Sequence, residues 1–255
     1  MSQDGVQIVG RTGQDGGVDT RPIRRFKPDP GAVPSDEQRR AWPLTVPAVA
    51  QLLTEGLELP AGALVLVGEN GSGKSTVMEL LAVTLGLNPE GGSANTRFST
   101  RSSEPESLGL VVERSPGASH WGYFLRDETL HGLYSHLEDV GGSDPAFHEL
   151  SHGEAFLEVL TRRANGRGTY LLDEPDAALS FGGSLALVAV LLDLVVTGAQ
   201  AVVATHSPVV AALPGAQLLE VGDWGLRPAR WEELELTRSW RQFLAGPSAF
   251  LRHLG

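Results

Sequence analysis

Apolar residues in this chain fall into short unbroken runs separated by longer mixed or polar stretches. Three runs, Ala63–Val67 and residues 169–172 and 201–204, hold almost nothing charged. Alternation of apolar and polar residues marks a strand with one wet face, whereas unbroken runs of this length mark strands buried on both faces. Helical patterns lie between them: residues 74–85, closed by Gly86, residues 151–163, and residues 184–196, closed by Gly198. The last is apolar on every side except at Asp193, which predicts a helix buried all round. Residues 47–53 read as a further short helix with Pro in its first turn. Residues 57–59, 108–113 and 121–125 read as strands, and 129–140 as a helix ended by Gly141-Gly142. Buried strands alternating with helices predict an α/β fold, with a mostly parallel central sheet flanked by helices. The mainly helical piece at about residues 129–164 is expected as an insertion beside that sheet.

The first 20 residues are rich in Gly and Asp without periodicity, which predicts a mobile tail. Residues 21–40 are rich in Pro and charge and are expected to gain order only by docking. The chain therefore divides into a tail at 1–40 and a domain at 41–255.

A length of 255 residues is enough to bury a core. The absence of Cys excludes disulfides, Cys-ligated zinc, iron–sulfur clusters and thiol catalysis. The longest apolar run, residues 185–192, falls short of the roughly 18–20 residues that cross a bilayer, and no basic-then-apolar leader opens the sequence. A soluble, cytoplasmic protein without a membrane span is expected. A formal net charge of −11 repels nucleic acid on average and does not favour it as a partner. Only two of the 20 basic residues are Lys, at positions 27 and 74. In a chain that otherwise uses Arg, Lys74 hints at a need for a compact point charge.

That lysine lies in Gly68-Glu69-Asn70-Gly71-Ser72-Gly73-Lys74-Ser75-Thr76, between an apolar strand and a helix. The run satisfies G-x-x-x-x-G-K-[ST], the loop that cradles phosphates. Its glycines let backbone amides converge on phosphate oxygens, and the helix N-terminus adds partial positive charge. Lys74 then reaches the β- and γ-phosphates of ATP, and the Ser75 hydroxyl ligates Mg²⁺. A second signal, Thr169-Tyr170-Leu171-Leu172-Asp173-Glu174-Pro175, ends a buried strand in two carboxylates. They stand at the edge where open α/β sheets bind ligands. Asp173 suits the Mg²⁺, and Glu174 suits the general base that polarises an attacking water. Taken alone, Leu150-Ser151-His152-Gly153-Glu154 is a helix start with a capping box. Taken alone, His206 in Ala204-Thr205-His206-Ser207 is a structural histidine at a strand end. Trp121 and Tyr123 read as core. Trp231 and Trp240, among Arg230, Arg238 and Arg241 but also Glu232, Glu233 and Glu235, read as a solvated amphipathic segment.

In this order and spacing, over about residues 42–220, the four motifs resemble the ATP-binding-cassette class of P-loop ATPases. The resemblance implies hydrolysis in a dimer that sandwiches the nucleotide. Ser151 and Gly153 would face the γ-phosphate held by the other subunit's loop. Asp173 matches the metal-binding Asp, Glu174 the catalytic Glu, and His206 the switch His at the γ-phosphate. Asp176-Ala177-Ala178-Leu179-Ser180 matches the loop that crosses the dimer interface. Trp42 is a candidate to stack on adenine, against a plainer role in the core or in docking. Transporter cassettes carry Leu-Ser-Gly-Gly-Gln where this chain has Leu-Ser-His-Gly-Glu, and Asp where it has Ser180. Residues 122–128 lack the Gln that transporters use near the metal, leaving Asp127 or Glu128 to replace it. In these departures the chain is similar to small stand-alone ATPases that carry an AAA-family label, allied to the RecF and SMC branch. The implied function is a soluble Mg²⁺-dependent ATPase acting as an ATP-dependent homodimer, with an unidentified protein partner and a DNA-related or defence process among its possible couplings. Two alternatives are the nucleotide-binding subunit of a transporter and an ATP-switched binding module that hydrolyses little.

Overall fold

Each unbroken apolar run becomes a strand of one six-stranded sheet. The computed structural model describes residues 21–32, 34–89, 91–92, 108–127, 152–163 and 166–252. In chain order the elements begin with β1 (Ile23–Pro28), α1 (Asp36–Arg39), α2 (Pro47–Glu55), β2 (Leu57–Glu58), β3 (Ala63–Val67) and α3 (Lys74–Thr84). There follow β4 (Leu110–Arg114), β5 (Gly122–Arg126), α4 (His152–Arg163), β6 (Thr169–Asp173), α5 (Phe181–Val196) and β7 (Gln200–Thr205). The chain continues through β8 (Gln217–Gly222), β9 (Gly225–Pro228), α6 (Glu235–Ala245) and α7 (Pro247–Leu251). The helix expected at 129–140, and with it most of the expected insertion, lies outside the described residues, as do residues 1–20.

The large sheet has the order β5-β6-β7-β3-β8-β9 and is parallel except for the β8–β9 pair. Every residue of β3, β5, β6 and β7 is buried, which explains their lack of polar alternation. Successive side chains of a strand point to opposite faces, so each strand feeds two cores. Ala63, Val65 and Val67 join Tyr170, Leu172, Ala201 and Val203 against Phe156 and Leu160 of α4 and Leu187 and Leu191 of α5. On the other face Leu64, Leu66, Leu171, Val202 and Ala204 meet α2 and α3 through Val49, Leu52, Val77, Met78 and Leu81. No helix among the described residues is long and apolar enough to cross a membrane.

Two expectations change. Helix α5 begins at Phe181, earlier than its apolar pattern predicted, because the Ser180 side chain caps it by accepting from the Gly183 amide at 3.1 Å. It is not buried all round: Ser184, Leu187, Leu191 and Leu194 are buried, while Phe181 and Val196 are 70% and 85% exposed. A helix laid on a sheet buries one face only, and here the opposite face is apolar as well.

The second change is at the N-terminal side. The order expected from docking at residues 21–40 takes the form of strand pairing at Ile23–Pro28. Strand β1 is the middle of a three-stranded antiparallel sheet, β2-β1-β4, and its Ile23 and Phe26 are fully buried. Helix α1 follows, with Ser35 and Gln38 forming a reciprocal capping box. Gln200, buried at the start of β7, ties the two sheets together. It accepts from the Ile23 amide at 2.6 Å and donates to the carbonyls of Ile23 and Pro60, both at 2.8 Å.

Gln200→Leu fills a similar volume but removes the partner of those backbone groups. A buried group left unsatisfied costs about 1–3 kcal/mol. The expected result is a lower melting temperature, with amides of β1 losing hydrogen-exchange protection before those of β3. An unchanged melting temperature would show that the sheets are held together by packing alone.

Candidate active site

Strands β3, β6 and β7 run parallel and in register, with Val67 opposite Thr205 and Asp173 opposite Ala204. The residues that follow them, Gly68, Glu174 and His206, therefore emerge at one level of one sheet edge.

The phosphate-loop sequence joins β3 to α3. Gly73, immediately before α3, has φ 99°, and a Cβ there would lie 2.3 Å from Val46 Cγ1, so only glycine fits. A Cβ on Gly68 would lie 2.4 Å from the Val221 carbonyl oxygen. Lys74 is buried at the start of α3. Its Nζ donates to the carbonyls of Gly68 at 2.8 Å and Glu69 at 3.0 Å, and lies 3.0 Å from His206 Nε2. Burial pushes the Lys74 pKa down, opposed by Glu174, Asp173 and Asp176.

The same His206 Nε2 lies 2.8 Å from Glu174 Oε1. Glu174 holds a left-handed backbone, φ 52°, and its amide donates to the Ala204 carbonyl at 2.9 Å. A non-glycine residue in that region stores strain of about 1–3 kcal/mol, a feature found at functional sites. Asp173 is buried, and its Oδ1 accepts from Ser75 Oγ at 3.2 Å. Burial pushes its carboxyl up to about 6, against the pull of the Arg126 guanidinium and the Ser75 hydrogen bond. Asp176 accepts from the Thr205 hydroxyl, and burial raises its pKa too.

Ser75 Oγ and Asp173 Oδ1 are two hard oxygen donors side by side. This donor set fits Mg²⁺, which takes few protein ligands and completes its shell with phosphate and water. Among the described residues no group of three or more His, Asp or Glu offers a self-sufficient metal cage.

Other expected residues fall elsewhere. Ser151 lies outside the described residues, and so does the capping box expected between it and Glu154. Gly153 is buried, and a Cβ on it would meet Leu179 Cδ2 at 2.6 Å and the Ala178 carbonyl at 2.9 Å. The start of α4 thus rests on the 176–180 loop of its own chain. Trp42 is 55% exposed, which removes it from the core. Tyr123 is core as expected, but Trp121 is not: it is 37% exposed, packing from the rim on Tyr123 and Tyr170 with ring centroids 6.0 and 4.9 Å apart. Trp240 lies on the largely exposed helix α6.

Two features escaped the sequence reading. Arg126 closes β5 directly opposite Asp173. Asp127 meets Asp173 through the backbone, its amide donating to the Asp173 carbonyl at 3.2 Å, and Glu128 lies outside the described residues. A cation ending an otherwise apolar strand was the available signal for Arg126. The second feature is a cavity of about 390 Å³ between the phosphate loop, the β8–β9 turn and α6, lined in part by Asn70, His206, Trp224 and Trp240.

No family model matches the chain. The chain is similar to the cytochrome c biogenesis ATP-binding export protein CcmA of Rhizobium meliloti (strain 1021), with 34% identity over 187 residues, 64% of this chain and 86% of that protein. It is similar to the CcmA of Paracoccus denitrificans (strain Pd 1222), with 33% identity over 169 residues, 63% of this chain and 76% of that protein. Among solved structures it is similar to the SMC head domain from Thermotoga maritima, with a TM-score of 0.40 and 12% identity over 69% of this chain and 93% of that one.

The Asp173 geometry yields a pH-dependent expectation. Its folded carboxyl titrates near 6, while the unfolded one titrates near 3.8. The folded state therefore holds the proton more tightly, and stability falls as pH rises through that window. Asp173→Asn should raise the melting temperature of the nucleotide-free, EDTA-treated protein. The gain should grow between pH 4 and 6 and level off above, as thermal denaturation across that range would read. A loss of stability at pH 7.5 would overturn this account of Asp173.

Proposed function

The chain belongs to the ATP-binding-cassette class of P-loop ATPases, and from that premise we propose that it hydrolyses ATP with Mg²⁺ in a site shared between two copies of itself. The observation that carries this reading is the convergence of Lys74, Glu174 and His206, whose polar atoms meet within 3.0 Å at the sheet edge. The loop from Gly68 to Thr76, with Glu69, Asn70, Gly71, Ser72 and Gly73 between, binds the phosphates. Lys74 exchanges its two carbonyl partners for phosphate oxygens. Ser75 and Asp173 hold Mg²⁺, which when bound neutralises charge on the phosphates. Glu174 accepts a proton from the attacking water, a role worth roughly 10²–10⁴-fold. His206, freed from Lys74, bonds the γ-phosphate and keeps Glu174 aimed.

Ser151 and Gly153 serve the neighbour's nucleotide in this reading. The packing of Gly153 on the 176–180 loop supports it, because it couples the two segments expected to cross the interface. A second reading has one specific support, the names of the CcmA relatives, which are ATP-binding export proteins. In that reading the chain is the ATP-binding subunit of an exporter, and it co-purifies with a multi-span membrane protein. The lack of Gln in residues 122–128, Ser180 and the Leu150-Ser151-His152-Gly153-Glu154 sequence, all departures from the transporter pattern, favour the stand-alone ATPase.

Ser151→Arg tests the shared site. The variant should bind ATP with near wild-type affinity and lose turnover. Mixed with Lys74→Ala, itself inactive, it should regain part of the turnover, because one composite site per mixed dimer keeps an intact loop and an intact partner helix. Wild-type turnover by Ser151→Arg alone would reduce Ser151 to a helix cap.

A further inference from the structure

The cation that closes β5 does more than fill a strand end. Arg126 is 8% exposed and opposite Asp173 in the parallel ladder. Its Nη1 lies 2.7 Å from Glu79 Oε1 and donates to the Pro89 carbonyl at 3.2 Å, while its Nε lies 3.6 Å from Asp173 Oδ2. Glu79 follows Ser75 by one turn on α3, so both side chains share a face of that helix. The four groups form a chain in space: Ser75, Asp173, Arg126, Glu79.

The division of Asp173 is the informative part. One carboxylate oxygen is taken by Ser75 at 3.2 Å, and the other faces the guanidinium. The guanidinium is closer to Glu79 than to Asp173. Arginine forms its strongest carboxylate pairs through two parallel bonds. An arginine without Glu79 would be free to close on Asp173 in that way and would compete with a divalent ion for the same carboxylate.

We propose that Arg126 is a positioning residue for Asp173 and that Glu79 is the counter-anion that keeps Arg126 from displacing the metal. Arg126 lies in the 122–128 stretch that lacks the Gln of transporter cassettes, and Glu79 balances its charge. The proposal rests on the assignment of Ser75 and Asp173 to Mg²⁺.

The test is binding of a fluorescent, non-hydrolysable ATP analogue, titrated in EDTA and then against free Mg²⁺. Wild type should bind in EDTA and tighten with Mg²⁺. Glu79→Gln should bind the analogue unchanged in EDTA but need about tenfold more Mg²⁺ for the tightening, the usual scale for a lost partner behind a metal ligand. Glu79→Gln/Arg126→Gln, which removes both charges, should return the Mg²⁺ midpoint toward wild type. A merely structural pair would lower affinity in EDTA as well and would show no such rescue. An unshifted midpoint in Glu79→Gln, or a double variant no better than the single, overturns the proposal. A wild-type protein that binds the analogue with no response to Mg²⁺ overturns the metal assignment itself, and the proposal with it.

Discussion

The parallel ladder through β5, β6, β7 and β3 makes four chain segments leave the sheet at one level. An antiparallel neighbour would have sent its end to the far side. Because all four run the same way, Arg126, Asp173 with Glu174, Thr205 with His206, and the phosphate loop arrive together. The ladder exists because the strands are apolar on both faces and are covered by α2 and α3 on one side and α4 and α5 on the other. Burial of the sheet and assembly of the site are thus one event.

That arrangement gathers charge where water is scarce. Burial opposes the ionised forms of Lys74, Asp173 and Asp176 together. The attraction of the carboxylates for Lys74 and the hydrogen bonds from Ser75 and Thr205 offset part of that cost. Glu174 adds a backbone in the left-handed region. In the proposed function, a bound phosphate chain with its cation would offset the remainder. Ligand that binds the folded state alone stabilises it. In that reading, the bonds Lys74 makes to its own loop carbonyls would give way to phosphate oxygens.

Much of this was legible in the residues. Gly68 to Ser75 and Asp173-Glu174 carry their chemistry in sequence because the spacing of a loop, or the end of an apolar run, is a local property. The depth of α5 was not legible, since an apolar face reads the same whether a sheet or nothing described covers it. Strand β1 was hidden by the Arg, Lys and Pro that surround Ile23 and Phe26, and its order comes from long-range pairing with β2 and β4. Arg126 was passed over because its meaning lies in a partner on another strand and another on α3. Gln200 was invisible for the same reason: its partners stand 177 and 140 residues away.

The central claim is that Glu174 is the base in a site completed by a second copy of the chain. Glu174→Gln keeps the size of the side chain but cannot take a proton from water, so hydrolysis should fall by about 10²-fold or more. With hydrolysis blocked, the ATP-bridged state should accumulate. Light scattering after size exclusion should read monomer without nucleotide, dimer with Mg-ATP and monomer with Mg-ADP. A Glu174→Gln protein that remains monomeric at saturating Mg-ATP and high protein concentration would contradict the account.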